Sequence, residues 1–387
     1  MSVASAQGTD SGATAPVRLG QVKIWPTISV RDIGVDTNVY HDSGTDPVKD
    51  FAFTVIPDFT TTLGGRRANL TLRSTTQFVY FATQASERSV NPELSVSGSV
   101  ALKRVVPVGE VGYLNTRERI NEEIDARARR VERRGAAGVD VAVTPKIAAR
   151  ARGELLQMRF DADAKFDDHW LAEQLNRNEH ALSAGARFVL TPLTAVVFSA
   201  KASRIRFIHE PLRDTDTRQL EGGVELHTRA LISGSARIGY QRFRPLNPAL
   251  PDFSGIVGAG NLTYRFSPVS SLAFGFDRMV EFSYLEDEPY YVREAYSLAF
   301  RRQLSQRWDL TVSGERSWHQ YWQSGVNPGN PASSHTDRLL GGTLSIGYLP
   351  GRRTQVTTSM SYQNRQSELD DRSYDGLVVG TSVAYAF

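Results

Sequence analysis

Cysteine is missing altogether from the 387 residues. That excludes a disulfide framework, thiolate catalysis and cysteine-ligated zinc. Long apolar runs are missing too. No stretch approaches the roughly 18 residues that a membrane helix needs, and the longest charge-free stretch, Ser317 to Thr336, is full of Ser, Asn, Gln, Gly and Pro. A helical membrane protein is excluded. A membrane barrel is not, because only every second residue of its strands meets lipid, and a mean hydropathy of −0.33 averages that signal away. Net charge is small, at +3, so nucleic acid is not an expected partner. Lysine is scarce, with 6 against 39 arginines. Arginine forks pair with carboxylates and phosphates better than lysine does.

Enzyme and metal signatures are also lacking. There is no H-E-x-x-H, since His209-Glu210 runs into Pro211, and no G-x-S-x-G elbow or glycine-rich phosphate loop. Asp161, Asp163, Asp167, Asp168 and His169 lack the Gly and terminal Glu of a calcium loop and read as a solvated acidic loop. His319 and Glu315 share a strand face and are the kind of pair a barrel hydrolase would use, although a polar lumen wall is the preferred reading. No catalytic residue, metal or cofactor is expected.

What is present is a period of two. In Leu377–Phe387 one face carries Leu377, Val379, Thr381, Val383, Tyr385 and Phe387, and the other is mostly small. The same alternation recurs at Leu94–Leu102, at Leu272–Phe276 against Ser271–Asp277, and at Trp308–Val312. Such patterns mean strands with one apolar and one polar face. Short turns fall at Gly64-Gly65, Lys103-Arg104, Thr144-Pro145-Lys146, Thr191-Pro192, Arg229-Ala230, Ser267-Pro268, Leu304-Ser305 and Pro350-Gly351. Longer polar connections alternate with them, of which Arg117–Arg134 is the most charged. That stretch reads as a tall solvated strand pair above the membrane, or as a surface facing lipopolysaccharide phosphates or an acidic polymer. The count predicts about eighteen strands: an all-β, antiparallel, up-and-down outer-membrane barrel, apolar outside and wet inside. A propeller would need four short strands per repeat, where each repeat here holds two long ones.

The chain opens with an A-x-A pattern ending at Ala6, like the end of a secretory signal peptide without its basic and apolar regions. Residues 1–20 are therefore read as a signal-peptide remnant and disordered lead-in, and residues 21–387 as the barrel. Two aromatic girdles are expected. Trp25, Trp308, Tyr348, Tyr385 and Phe387 fall near the short turns; Tyr40, Tyr80, Tyr284, Tyr290, Trp318 and Trp322 fall near the long loops. Arg278 breaks the apolar parity after Phe276 and is expected to snorkel outward or to sit beside a bulge.

Gly34-Val-Asp-Thr-Asn-Val-Tyr40, at the end of the first strand, resembles the opening of the putative β-barrel porin family of Gram-negative outer membranes. The close, Asp371–Gly376 followed by a strand ending in Phe387, is similar to that family's last hairpin. Members often accompany exopolysaccharide export, so the resemblance implies an export complex as a partner. From the residues alone, Asp36 and Asn38 read as a strand-end bulge whose side chains bond local backbone.

Two functional readings stay open. One is a pore, passing small solutes or serving as an exopolysaccharide outlet. The other is a structural or adhesion barrel whose lumen is blocked and whose loops do the work. Parity assigns the pore lining. Ala137, Val139, Val141 and Val143 take the lipid side, so Asp140 points inward, opposite Arg150 and diagonal to Arg152. Arg187 is inward by the same rule, and Glu154, Arg237 and Asp277 complete the candidate set. Phe387 is the candidate assembly signal for barrel-insertion machinery; outer-membrane lipid and lipopolysaccharide are the other expected partners.

Overall fold

The computed structural model describes residues 16–387 except 45, 286, 287, 323–332, 370 and 371. Eighteen long strands form the wall. The first six are β1 (Val22–Asp36), β2 (Asp50–Gly64), β3 (Ala68–Phe81), β4 (Ser89–Val100), β5 (Val105–Thr116) and β6 (Arg130–Thr144). The next six are β7 (Ile147–Phe160), β8 (Arg177–Thr191), β9 (Thr194–Phe207), β10 (Thr215–Leu226), β11 (Ile232–Pro245) and β12 (Phe253–Ser267). The last six are β13 (Ser270–Phe282), β14 (Tyr290–Gln303), β15 (Trp308–Trp322), β16 (Ser333–Tyr348), β17 (Thr354–Gln366) and β18 (Tyr374–Ala386). Each pairs antiparallel with its chain neighbour, and β18 returns to β1, so the ring closes.

The short turns form where the sequence puts small hydroxyl residues next to turn formers. Thr144 Oγ1 accepts the Lys146 and Ile147 amides, and Ser305 Oγ accepts those of Arg307 and Trp308. Thr191 and Ser267 accept the amide two residues on in the same way. These local bonds satisfy turn donors that no ladder reaches. Between the turns, one face of each strand is exposed and apolar: Leu155 is 54% exposed, Leu182 72%, Phe198 55%, Leu220 67% and Ile238 61%. In a ring of this size that belt is the lipid face. Trp308 and Tyr348 meet near the short-turn end, 4.6 Å between ring centroids, as do Tyr385 and Phe387 at 5.0 Å.

The seam between the first and last strands is built by the two stretches that carry the family resemblance. Gly34 lies against β18 so closely that a Cβ there would stand 1.9 Å from the Val379 carbonyl oxygen. Only glycine permits that approach. Just beyond, the Asn38 amide donates to Asp36, and Asn38 Nδ2 donates to the backbone oxygens of Asp42 and Asp375, at 3.0 and 2.8 Å. Asn38 Oδ1 accepts the Asp42 amide, and the Leu377 amide donates to Thr37 Oγ1. The expected local role of Asp36 and Asn38 is present, and Asn38 adds a tie across the seam.

Residues 1–15 of the expected lead-in lie outside the described residues. Its end differs from expectation: Val17–Leu19 form a short strand paired with Val22–Ile24 around Gly20. Gly20 has φ 63°, which makes the tight reversal cheap and lets three apolar-flanked residues join the ladder.

Candidate functional site: an occluded lumen

The wall is not uniform at the long-loop end. β12 and β13 stay paired up to Gly258 and Arg278. Above that level β12 remains with β11 and β13 with β14. The freed tip of β13–β14 turns in, and its residues Tyr290 and Val292 bury against Phe243, Phe253 and Val257 of β11 and β12. Arg278 sits at the fork. Its Nε donates to the Ile256 carbonyl at 3.0 Å, which the parted ladder leaves without a strand partner, and its guanidinium pairs with Glu294.

The connection after β13 continues across the interior. Tyr284 is fully buried in a cluster with Ile124 and Ala128, Met158 and Phe160 of β7, and Leu171 and Leu175. Three separate loops therefore meet in one apolar core, where burial of each large side chain stabilises by about 1.5–3 kcal/mol. Leu171–Leu175 is a one-turn helix in the β7–β8 connection. Arg213, buried above β10, ties the cluster together by donating to the backbone oxygens of Gln174 and Pro289, at 3.1 and 3.0 Å.

Residues 117–129, between β5 and β6, are the centrepiece. Glu122 reaches His319 Nε2 at 2.9 Å, Ser317 Oγ at 3.2 Å and Arg293 at 3.5 Å. Its backbone oxygen accepts from Arg365 at 2.8 Å. His319 and Ser317 are on β15, nine strands round a ring of eighteen from β6, so this loop crosses the full width of the lumen. Asp125 binds His41 at 2.7 Å and Arg119 at 2.5 Å. Glu123 is fully buried. Its Oε1 accepts from Ser283 Oγ at 2.5 Å, and its Oε2 has no partner among the described residues.

The two neighbouring carboxyls are held in opposite states. Burial drives Glu123 up to about 8, against the pull of the Ser283 hydrogen bond and the Arg372, Arg365 and Arg213 charges. Burial works the same way on Glu122, but the His319 hydrogen bond and the His319 and Arg293 charges overcome it and hold that carboxyl at about 2. Asp125 is likewise lowered, as the His41 and Arg119 contacts outweigh its burial. The loop thus carries an ionised anchor beside a protonated, fully buried neighbour.

The candidate wall residues lie below this plug, on the face opposite the apolar belt. Asp140 is opposite Arg150 in the β6–β7 register. Arg150 Nε donates to Asp140 at 2.9 Å, and Arg152 Nη2 donates to the same carboxylate at 3.2 Å. Arg187 and Arg237 share Glu225, at 2.9 and 3.2 Å. Glu154 is taken by Lys201 at 2.7 Å, two strands away. Asp277 joins Arg293, at 2.5 Å, rather than the basic strip. Cross-strand register, readable from the turns, gave the Asp140 contacts. Nothing in the sequence marked Glu225 or Lys201 as the other partners, because they depend on which strands follow across two further turns.

Several expectations are corrected. Arg117–Arg134 is not a tall strand pair above the membrane; residues 117–129 turn into the lumen, where the opposing wall supplies counter-charges. Tyr284 and Tyr290 are not girdle residues, since both are fully buried by the infolded tip. Glu315 does not pair with His319. It accepts from Arg293 at 2.9 Å, while His319 is taken by Glu122. Asp167, one of the acidic loop residues, accepts from the Tyr284 hydroxyl at 3.1 Å.

A closed barrel with short turns at one end, a charged inner face and inturned loops at the other is the architecture of a porin. The family model described as putative beta-barrel porin 2 matches residues 12–387. The chain belongs to that family. No curated protein matches the sequence. Among solved structures, the BenF-like porin from Pseudomonas fluorescens Pf-5 is 8% identical with a TM-score of 0.54, over 95% of this chain and 99% of that one. Pseudomonas aeruginosa OpdK with vanillate is 10% identical with a TM-score of 0.52, over 94% and 98%. OccK3 (OpdO) of the same organism is 11% identical with a TM-score of 0.51, over 94% and 95%. At such identities the likeness is one of fold. This porin-family barrel is an outer-membrane protein.

Proposed function

We propose that this protein is a gated outer-membrane channel for small solutes, with a preference for anions. The observation that carries the reading is the pair of two-to-one ion groups on the inner face. Arg150 and Arg152 share Asp140, and Arg187 and Arg237 share Glu225. Four guanidiniums face two carboxylates, and the surplus positive charge is not neutralised within either group. Half-exposed pairs of this kind contribute only about 0–1 kcal/mol each to stability. Their field acts more strongly, because low-dielectric walls focus it on passing ions.

The plug makes the channel a gated one. Most of what anchors residues 117–129 to the far wall is polar and charged, and such contacts exchange with water more readily than an apolar core does. A role as an exopolysaccharide outlet rests on family resemblance and would require the loop to withdraw altogether. The second reading, a permanently blocked barrel whose loops do the work, is favoured by one observation: Ile124, Leu171 and Tyr284 are fully buried in a common cluster.

Proteoliposome uptake tests the proposal. Folded protein should admit small organic anions faster than cations of equal size. Uptake no faster than in protein-free liposomes would reject the channel in favour of the blocked barrel.

A further inference from the structure

The outward face of β9–β11 carries an arginine patch that neither the barrel nor the lumen uses. Parity places Arg204, Arg218, Arg242 and Arg244 on the side opposite the inward, buried Phe207 and Phe243. All four are exposed, and none of their guanidiniums has a hydrogen bond or ion pair among the described residues. The register sets Arg218 directly opposite Arg242, and Asp216 between Arg204 and Arg244. Asp216 is already engaged by Arg206 at 2.7 Å. Two like charges directly opposite each other destabilise a strand pair unless an anion lies between them.

Height identifies the anion. Immediately below Arg218 and Arg242 come Leu220, Tyr240 and Ile256, which are 67%, 55% and 58% exposed. Arg204 stands ten residues above the short-turn end of β9 at Thr194. At about 3.3 Å per residue and a tilt near 40°, that is about 25 Å, the height of the apolar band of an outer-membrane barrel. The patch therefore lies at the headgroup level on the long-loop side, which is the outer leaflet. Guanidinium forks on neighbouring strands, about 5 Å apart, can clamp one phosphate from two sides.

We propose that Arg204, Arg218, Arg242 and Arg244 form a binding site for the phosphate of a phosphorylated glycolipid of the outer leaflet, of the lipid A type. The site lies outside the lumen and does not depend on whether the channel conducts.

The test is native mass spectrometry of the folded barrel in detergent, titrated with bis-phosphorylated lipid A, dephosphorylated lipid A or inorganic phosphate. Wild type should bind bis-phosphorylated lipid A at least tenfold tighter than the quadruple variant Arg204→Gln, Arg218→Gln, Arg242→Gln, Arg244→Gln. The dephosphorylated lipid should bind wild type as weakly as that variant binds lipid A. Removing two exposed arginines at a short turn, Arg66→Gln with Arg67→Gln, should leave binding intact. Retention of lipid A by the quadruple variant, or an equal loss in the Arg66/Arg67 control, would overturn the site. Displacement of lipid A by millimolar inorganic phosphate would overturn the headgroup as its source. If the quadruple variant lacks a heat-modifiable gel shift, the Arg218→Gln, Arg242→Gln pair carries the same comparison.

Discussion

His319 Nε2 lies 2.9 Å from the carboxylate of Glu122 although 197 positions separate them. One residue belongs to the wall and the other to a loop that enters from the opposite side. That contact, with the Arg293 and Arg365 contacts beside it, joins the two halves of the ring through the middle of the lumen. The behaviour expected of the barrel follows from how firmly it is held.

Glu123 makes the closed loop sensitive to pH. Packed in the plug it titrates at about 8, against 4.5 for an ordinary glutamate. The closed state thus holds a proton that the withdrawn loop, with Glu123 in water, releases. The advantage of closure is fully present below about pH 4.5 and is lost as the pH climbs through 8. Open probability should rise across that window. Glu123→Gln should remain closed at pH 9 with a flat profile. A Gln variant that keeps the wild-type pH dependence would assign it to another group.

The inner arginines should set ion preference. Arg150→Ser with Arg187→Ser removes one guanidinium from each two-to-one group and leaves Asp140 and Glu225 each with a single partner. The reversal potential in a salt gradient should move toward cation selectivity, with folding intact because these pairs contribute so little to stability. An unchanged reversal potential in a conducting double variant would leave Arg150 and Arg187 as wall-stiffening ties.

Asn38 should matter to closure of the ring rather than to conduction. It is buried and bonds the first outer loop to the Asp375 carbonyl at the start of β18. Asn38→Ala strands at least two partners, at a cost of about 1–3 kcal/mol. The SDS-resistant band should unfold at a lower temperature, while selectivity stays as in wild type. An unshifted transition would show that the β1–β18 ladder and Gly34 contact suffice.

Phe387 is half exposed at the end of β18, and its amide donates to the Pro26 carbonyl at 3.2 Å. We expect deletion of Phe387 to lower the amount of heat-modifiable protein in outer-membrane fractions, through loss of a signal read by insertion machinery. Normal assembly without it would reduce the residue to a boundary anchor.

The wall was legible in the sequence because its rule is local. Alternation of two, Thr-Pro and Ser-Pro turns and antiparallel register together place Asp140 opposite Arg150 without any knowledge of the rest of the ring. The plug was not legible, for the opposite reason. Residues 117–129 have no periodicity, and their density of charge reads as solvated when taken alone. Glu122 becomes buriable only because Arg293, His319 and Arg365 arrive from strands more than 170 residues away. The infolding of Tyr284 and Tyr290 was hidden in the same way: their strand ends look like any girdle until β12 and β13 part at Arg278.

Single-channel recording of folded protein in a planar bilayer tests the central claim, a channel closed by its own loop, most directly. Wild type should show small or infrequent openings at neutral pH. Glu122→Gln keeps the shape of the side chain and removes the charge that holds His319 and Arg293. It should give large, sustained openings at the same pH. Absence of current from both proteins, each with an intact heat-modifiable gel shift, would contradict the account and establish a barrel whose lumen stays blocked.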